Sequence, residues 1–430
     1  MSKIKYPRGV WVLSSVEMWE RFSFYTMQSL LVLYVVATFA QGGLGWSNAR
    51  ALELTGYYGA FVYVSPIVGG WIADRFIGRK VAVLLGSVIM MFGHASMAFH
   101  GETAMFIGMG LLVIGCGFMK PAISALVGEF FNKDEKSTKE AAFAIFYMSI
   151  NIGGLLGPLF AGLVEEKYGF SYAFSMASAG LLLGIVNYLW FAKKDLKNVG
   201  NLPTVNPLMV PDKLSKNDWT KINVYLGLCV TNILWNIFYA LPYGLLTLYA
   251  DQNIDREVMG WKIPATWYFA MYGLFIVVYS PFMAKFYRAL ESKFDLTVSY
   301  KLAIGYVLVA LGSLILLPLV GYIHHDPHYL GSSWYLIGFY SLFALSELIT
   351  VPVLLSAATS FAPKGYSATL VSLNMAISWA IGAWLGGLFG SLTQTMDATN
   401  LFIGVIALCV IFAVLHVVTN KFIEKSLALE

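Results

Sequence analysis

Glu17-Met18-Trp19-Glu20-Arg21 sits inside an apolar run that extends from Val10 to Ala40. A carboxylate or guanidinium at the centre of a bilayer costs about 2.5 to 3.5 kcal/mol even on insertion scales, so such charges pair with one another and line cavities. Spacings of three and four residues put Glu17, Glu20 and Arg21 on one helical face, with Tyr25 one turn further along the same stripe. That face cannot point at lipid. A solute or proton pathway satisfies the constraint, and so does a structural ion pair that locks neighbouring helices.

The rest of the chain reads the same way. Of its 430 residues 58% are hydrophobic and 12% charged, against about 25% charged in soluble domains, so an integral membrane protein is expected. The apolar runs are long and continuous rather than short and alternating, which selects helices over a barrel. An aromatic share of 16% suits interfacial belts and an aromatic cavity. In such a chain the net charge of +4 is an orientation signal, and no nucleic-acid partner is expected. Cys116, Cys229 and Cys409 are scattered through apolar spans, with neither metal spacing nor an even disulfide set, so no metal or cofactor is expected. The stretch Met1 to Gly9 is short and basic and the run after it is too long for a signal core, so the first helix should stay in the product.

Apolar runs fall at residues 10–40, 51–73, 80–99, 103–131, 139–164 and 171–192, and again at 219–250, 262–287, 298–323, 332–361, 366–394 and 399–420. They predict an all-α membrane protein of twelve transmembrane helices in two six-helix bundles, 1–192 and 219–430. The polar stretch 193–218, with Pro203, Pro207 and Pro211, reads as a linker. Only Arg50, Lys167, Arg256 and Lys262 fall on one side of this map, while the other cations outside the membrane crowd the opposite side with both termini, which places the termini in the cytoplasm. His324, His325 and His328 beside Asp326 read as an exposed polar turn in preference to a metal site, and no role is assigned to them.

An internal repeat supports the division. Ile152-Gly153-Gly154-Leu155-Leu156-Gly157-Pro158-Leu159-Phe160 matches Ile381-Gly382-Ala383-Trp384-Leu385-Gly386-Gly387-Leu388-Phe389 at six of nine positions. Parallel halves of this kind are the architecture of alternating-access transporters. Gly153, Gly157, Gly382 and Gly386 read as helix-packing positions.

Few other charges lie deep in the runs. Lys120 is followed by Pro121, which frees a backbone carbonyl that a neighbour must satisfy. Glu347, in Ser346-Glu347-Leu348-Ile349-Thr350-Val351-Pro352, is the matching carboxylate of the second half. A zwitterion would suit them, its carboxylate meeting Arg21 and Lys120 and its amine Glu347. Alternatively Lys120 and Glu347 pair with each other, and a pair that forms only when a cavity shuts is a gate. Asp74-Arg75-Phe76-Ile77-Gly78-Arg79-Lys80 is a short turn whose charges either latch a neighbouring helix or merely set topology. Tyr63, Tyr147, Asn151 and Trp235 add polar or aromatic groups at membrane depth, and each is compatible with plain packing. No nucleophile, base or metal constellation of an enzyme is present in the pattern.

Together these segments resemble the proton-dependent oligopeptide transporter family of the major facilitator superfamily. Glu17-x-x-Glu20-Arg21-Phe22-Ser23-Phe24-Tyr25 is similar to its first-helix signature, with Phe24 in place of the first tyrosine. Gly69 to Lys80 resembles its second-to-third helix motif, and Phe146-Tyr147-Met148-Ser149-Ile150-Asn151-Ile152-Gly153 its fifth-helix signature; the Lys120-Pro121 and Ser346-Glu347 segments agree as well. The resemblance implies a symporter of di- or tripeptides or peptide-like zwitterions, with protons and membrane lipid as its other partners. Glu17 would carry the proton, with Glu20 and Arg21 beside it. Arg21 would hold that proton or the substrate carboxylate, helped by Lys120, and Glu347 would meet the amine. Tyr25, Tyr63, Asn151, Trp235 and Tyr239 would line the cavity.

A second anion near Arg21 can change the proton affinity of Glu17, and linkage makes that effect reciprocal. The sequence also departs from the family. Where a first-helix cation and a seventh-helix glutamate are common, it has Gln28 and Tyr239. Tyr272 and Met375 stand where asparagine and tryptophan are usual. Joint loss of the charged pair avoids stranding one buried charge, at about 3 to 5 kcal/mol. Carriage of a different organic solute and a non-transporting peptide sensor are the competing readings.

Overall fold

The computed structural model describes residues 6–131, 136–197, 199, 200, 214–291, 296–363 and 366–428. Most of the expected linker, along with Asn132, Lys133 and Lys364, lies outside the described residues.

Helices dominate the chain. The first set is α1 (Arg8–Val36), α2 (Asn48–Ile72), α3 (Arg79–Met97), α4 (Glu102–Glu129), α5 (Lys136–Tyr168) and α6 (Phe170–Asp195). The second is α7 (Lys216–Ala240), α8 (Leu245–Gln252), α9 (Thr266–Glu291), α10 (Val298–His325), α11 (Trp334–Ser360), α12 (Ser367–Asn374), α13 (Ile381–Leu392) and α14 (Ala398–Leu427). Among the described residues, eleven helical stretches are long and apolar enough to cross a membrane. The remaining one, α1, spans 29 residues and carries Glu17, Glu20 and Arg21, so its length fits while its polar face lowers its apolar character.

Three boundaries differ from the sequence reading for local reasons. The first run ends at Val36, because Phe39–Gln41 forms a separate 3-10 turn closed by Gly42 at φ 79°. The seventh run breaks at Leu241–Tyr243, where Pro242 lacks an amide, and resumes as α8. The ninth starts at Thr266 because β1 (Glu257–Val258) pairs antiparallel with β2 (Trp261–Lys262). In the eleventh run, α12 and α13 are joined by a π turn at Met375–Ala380.

The chain forms two compact units, one from Met1–Trp46 and Phe61–Met209, the other from Ser47–Ala60 and Val210–Glu430. The second therefore includes the start of α2, where Ser391 donates to Glu53 Oε1 at 2.8 Å.

The internal repeat turns out to be a repeat of packing. In the first unit, a Cβ on Gly153 would fall 2.3 Å from the Met18 carbonyl oxygen, and one on Gly157 2.5 Å from that of Phe22. In the second, a Cβ on Gly382 would fall 2.2 Å from Asn236 Cβ and one on Gly386 2.5 Å from Ala240 Cβ. So α5 presses on α1, and α13 presses on α7, through the same pair of small residues. The first contact fixes the face of α1 that carries the charges.

Gly153→Val should push α1 from α5 and destabilise the protein by about 1–3 kcal/mol, the usual range for overpacking. Gly110→Ala, where a Cβ meets nothing within 4 Å, should be neutral or gain up to about 1 kcal/mol. Unfolding midpoints in detergent check the contrast, and equal midpoints would contradict it.

Candidate functional site

In the first unit the charged face of α1 closes on itself. Glu20 Oε1 accepts from Arg21 Nη2 at 2.6 Å, and its Oε2 accepts from Arg21 Nε. Such a fork is the strongest way a carboxylate can hold a guanidinium. Glu17 is held more loosely. Its Oε1 lies 3.4 Å from Arg21 Nε, and its Oε2 has no hydrogen-bond partner among the described residues. Glu17 is 4% exposed, Glu20 0% and Arg21 5%, so the cluster is shielded from solvent.

Phe24 completes it. The Arg21 guanidinium carbon lies 4.6 Å from the Phe24 ring centre and Lys120 Nζ lies 4.7 Å from it, so one aromatic ring serves two cations. Arg21 also approaches Tyr25 at 5.9 Å and Lys120 approaches Tyr63 at 5.6 Å. Lys120 makes no ion pair within 4 Å among the described residues. Its position on α4 depends on Pro121, which leaves the Gly117 carbonyl without its helical donor. Gly69 of α2 backs onto that oxygen so closely that a Cβ there would stand 2.2 Å from it. Asn151 on α5 donates to the Tyr147 carbonyl at 2.9 Å, within its own helix.

The second unit brings stacked aromatic rings close to the carboxylate-bearing segment of Glu347. Trp235 is fully buried, and its indole N–H donates to Ser346 Oγ at 2.9 Å while that hydroxyl donates to the Gly305 carbonyl at 2.9 Å. Trp235 stacks on Phe343 at 5.2 Å and on Tyr239 at 5.7 Å. Tyr239 meets Trp379 edge-on at 4.9 Å, and Tyr272 lies 5.6 Å from Phe343. Glu347, next to Ser346 on α11, has one buried oxygen, Oε2, without a hydrogen-bond partner among the described residues. The π turn aims this wall: Ser378 within it donates to the Cys229 carbonyl at 2.8 Å, tying to α7 the segment that carries Trp379. Gln28, at the other altered position, is buried in the first unit, and Met375 is 40% exposed.

The turn between α2 and α3 forms a third cluster. Arg79 Nε donates to Asp74 Oδ1 at 2.7 Å and Arg79 Nη1 to Glu129 Oε1 at 2.6 Å. Glu129 Oε2 accepts the Gly200 amide at 2.5 Å. Arg75 stands over the Trp71 ring at 5.2 Å. One arginine thus links α3 to the end of α4, and through it to the chain after α6.

Residues 21–387 match the Major Facilitator Superfamily. The uncharacterized transporter YclF of Bacillus subtilis (strain 168) is 30% identical, with 91% of this chain and 90% of that protein covered. A di-/tripeptide transporter of Lactococcus lactis subsp. cremoris is 27% identical with 90% of each covered. Among solved structures, a peptide transporter POT in complex with sulfate superposes with a TM-score of 0.90 at 26% identity, covering 99% of this chain and 97% of the other. A POT family transporter in complex with 5-aminolevulinic acid gives 0.90 at 25% identity, with 98% of both chains covered. The chain belongs to the POT family of the major facilitator superfamily. It is a multi-pass membrane transporter and not an enzyme.

In this POT protein three residues of evident weight escaped the sequence reading. Phe24 was legible only as a missing tyrosine, although an aromatic one turn from Arg21 is placed to receive a cation. Glu129, an acid ending an apolar helix, was the available partner for the basic turn. Trp379 gave no periodic signal, because the π turn shifts its direction on the helix.

Ser346→Ala should strand the Trp235 N–H and cost about 1–3 kcal/mol. The same change made in a Trp235→Phe background should cost less. A double-mutant cycle on unfolding midpoints checks this, and full additivity would show that the bond does not hold the wall.

Proposed function

We propose that this POT transporter imports di- or tripeptides, or peptide-like zwitterions, together with protons by alternating access, with 1–192 and 219–430 as its moving halves and 193–218 as the linker. It would lie in the plasma membrane with both termini in the cytoplasm, as its Lys and Arg distribution favours. A relative named as a di-/tripeptide transporter and a POT structure holding the amino acid 5-aminolevulinic acid support the substrate class.

The observation that carries the coupling is the unequal hold on the two glutamates. Glu20 occupies Arg21 through two nitrogens, while Glu17 reaches it at 3.4 Å and keeps a free oxygen. A substrate carboxylate arriving at Arg21 displaces the weaker partner. Glu17, left among apolar neighbours without its cation, then takes a proton. Proton and carboxylate therefore favour each other's binding, and linkage makes the help mutual. Lys120, with only rings and distant charge near it, is the second cation for the carboxylate, and Glu347 receives the amine. Tyr25, Tyr63 and Asn151 offer hydrogen bonds to the backbone of the solute, and Trp235 and Tyr239 shape the wall against its side chain. Asp74, Arg75 and Arg79 act as a conformational latch, and Lys120 and Glu347 as a gating pair when no solute separates them.

A second reading, proton-coupled carriage of another small organic solute, is favoured by one observation. Tyr239 is committed to a ring cluster with Trp235 and Trp379, so this part of the wall offers a solute shape rather than charge.

Sealed proteoliposomes decide the matter. Labelled dialanine should accumulate under an acid-outside gradient and not without it, and a competition panel should rank other peptides and zwitterions. Absence of accumulation with every peptide would retire the peptide reading. Glu17→Gln should abolish gradient-driven accumulation while sparing exchange of solute across the membrane. A variant that still concentrated dialanine would remove Glu17 from the coupling site.

A further inference from the structure

Between α7 and α14 of the second unit lies a cavity of 460 Å³, within the range of about 300–1,000 Å³ typical of small-molecule sites. Asn223, Gly227 and Leu228 line it from α7, and Leu415, His416 and Phe422 from α14. It is an open groove, since Asn223, Gly227, Leu415 and Phe422 are all exposed.

His416 forms the polar part of its floor. The residue is 2% exposed, and neither ring nitrogen has a hydrogen-bond partner among the described residues. Its face stacks on Tyr306 at 5.6 Å and 15°, and the Tyr306 hydroxyl is anchored on the Thr231 carbonyl at 2.7 Å. The imidazole is thus held in place with an unused donor and acceptor at its edge. Buried polar groups left in that state are costly and call for a partner. The neighbouring threonines do not serve as donors, because Thr220 gives its proton to the Lys216 carbonyl and Thr419 to that of Leu415.

The surroundings identify the occupant. Val414, Val417 and Val418 give α14 an exposed apolar face, which in a membrane-spanning helix meets lipid. The groove lies where α7 begins and α14 ends, and these ends carry Lys216, Lys221, Lys421 and Lys425. Of the two acids there, Asp218 is engaged in the helix cap by Ser215, and Glu424 is the other.

We propose that this groove binds one anionic phospholipid. An acyl chain lies along Leu228, Leu415 and Phe422, an ester carbonyl accepts from His416 and Asn223, and the phosphate meets Lys221 and Lys421. Anionic lipid attracts basic residues at a membrane surface, and the groove adds a fixed seat for one molecule.

Gly227 supplies the test, because a Cβ there meets nothing within 4 Å. Native mass spectrometry of the purified transporter, titrated with phosphatidylglycerol, phosphatidylcholine or inorganic phosphate, should show one phosphatidylglycerol retained by wild type and by Gly227→Ala. Gly227→Phe, which fills the groove, should bind it about tenfold more weakly. His416→Phe, which keeps the stacking on Tyr306, should bind it more weakly than wild type, and Lys421→Ala should lose about fivefold. Equal retention by wild type, Gly227→Phe and His416→Phe would overturn the site. So would phosphatidylcholine bound as tightly, or inorganic phosphate alone displacing the lipid. If Gly227→Phe fails to fold, as judged by its elution and unfolding midpoint, the His416→Phe comparison decides.

Discussion

A guanidinium buried to 5% exposure is the constraint from which the first unit follows. Arg21 cannot be neutralised by losing a proton, so it must find anions and ring faces within its own fold. Two glutamates on the same helix supply the anions, at one- and four-residue spacing, and Phe24 supplies a face. That solution works only if α1 is held at a fixed rotation, since a turn of the helix would present the cluster to lipid. The close seat of α1 on Gly153 and Gly157 sets this rotation, which explains why a repeat of small residues accompanies a cluster of charges. The second unit reuses the seat for α7 and replaces the charges with stacked rings.

Much of this was legible in the chain. Helical class, the number of long helices and the shared face of Glu17, Glu20 and Arg21 follow from hydropathy and periodicity, which depend on composition over many residues. The packing role of Gly153, Gly157, Gly382 and Gly386 was legible because small residues at that spacing have few other uses in membrane helices. What escaped was local. The break at Leu241–Tyr243 and the π turn at Met375–Ala380 depend on backbone hydrogen bonds that an apolar run does not encode. The π turn in particular decides which side of the helix Trp379 occupies, so a wheel drawn at regular spacing misplaces it. Partners such as Glu129 for Arg79 lie 50 residues apart, beyond the reach of any local pattern.

The charges of the first unit are graded rather than equivalent. Glu20 is held in a fork and fully buried, and Lys120 is steadied by two rings, with no ion pair within 4 Å among the described residues. Glu17 is held most loosely, with Oε1 3.4 Å from Arg21 Nε and Oε2 unpartnered among the described residues. A uniformly tight cluster would be a structural lock, the bland alternative for such residues. On the proposed function, the grading would let the ion pair exchange one anion for another, because displacement would occur at the weakest bond and leave the others in place.

The second unit shows how discrimination would divide between the ends and the body of a solute. A half-buried carboxylate such as Glu347, with Oε2 unpartnered among the described residues, would penalise a solute that left it unmatched, and so would the buried cation Arg21. Polar sites of that kind reject analogues lacking the matching group by factors of about 10⁴–10⁵, whereas apolar walls distinguish a methylene by only about 10–200-fold. With Tyr239 in the ring cluster, that position falls in the second class. On the proposed function, strictness would therefore belong to the charged termini of the solute and tolerance to its side chains.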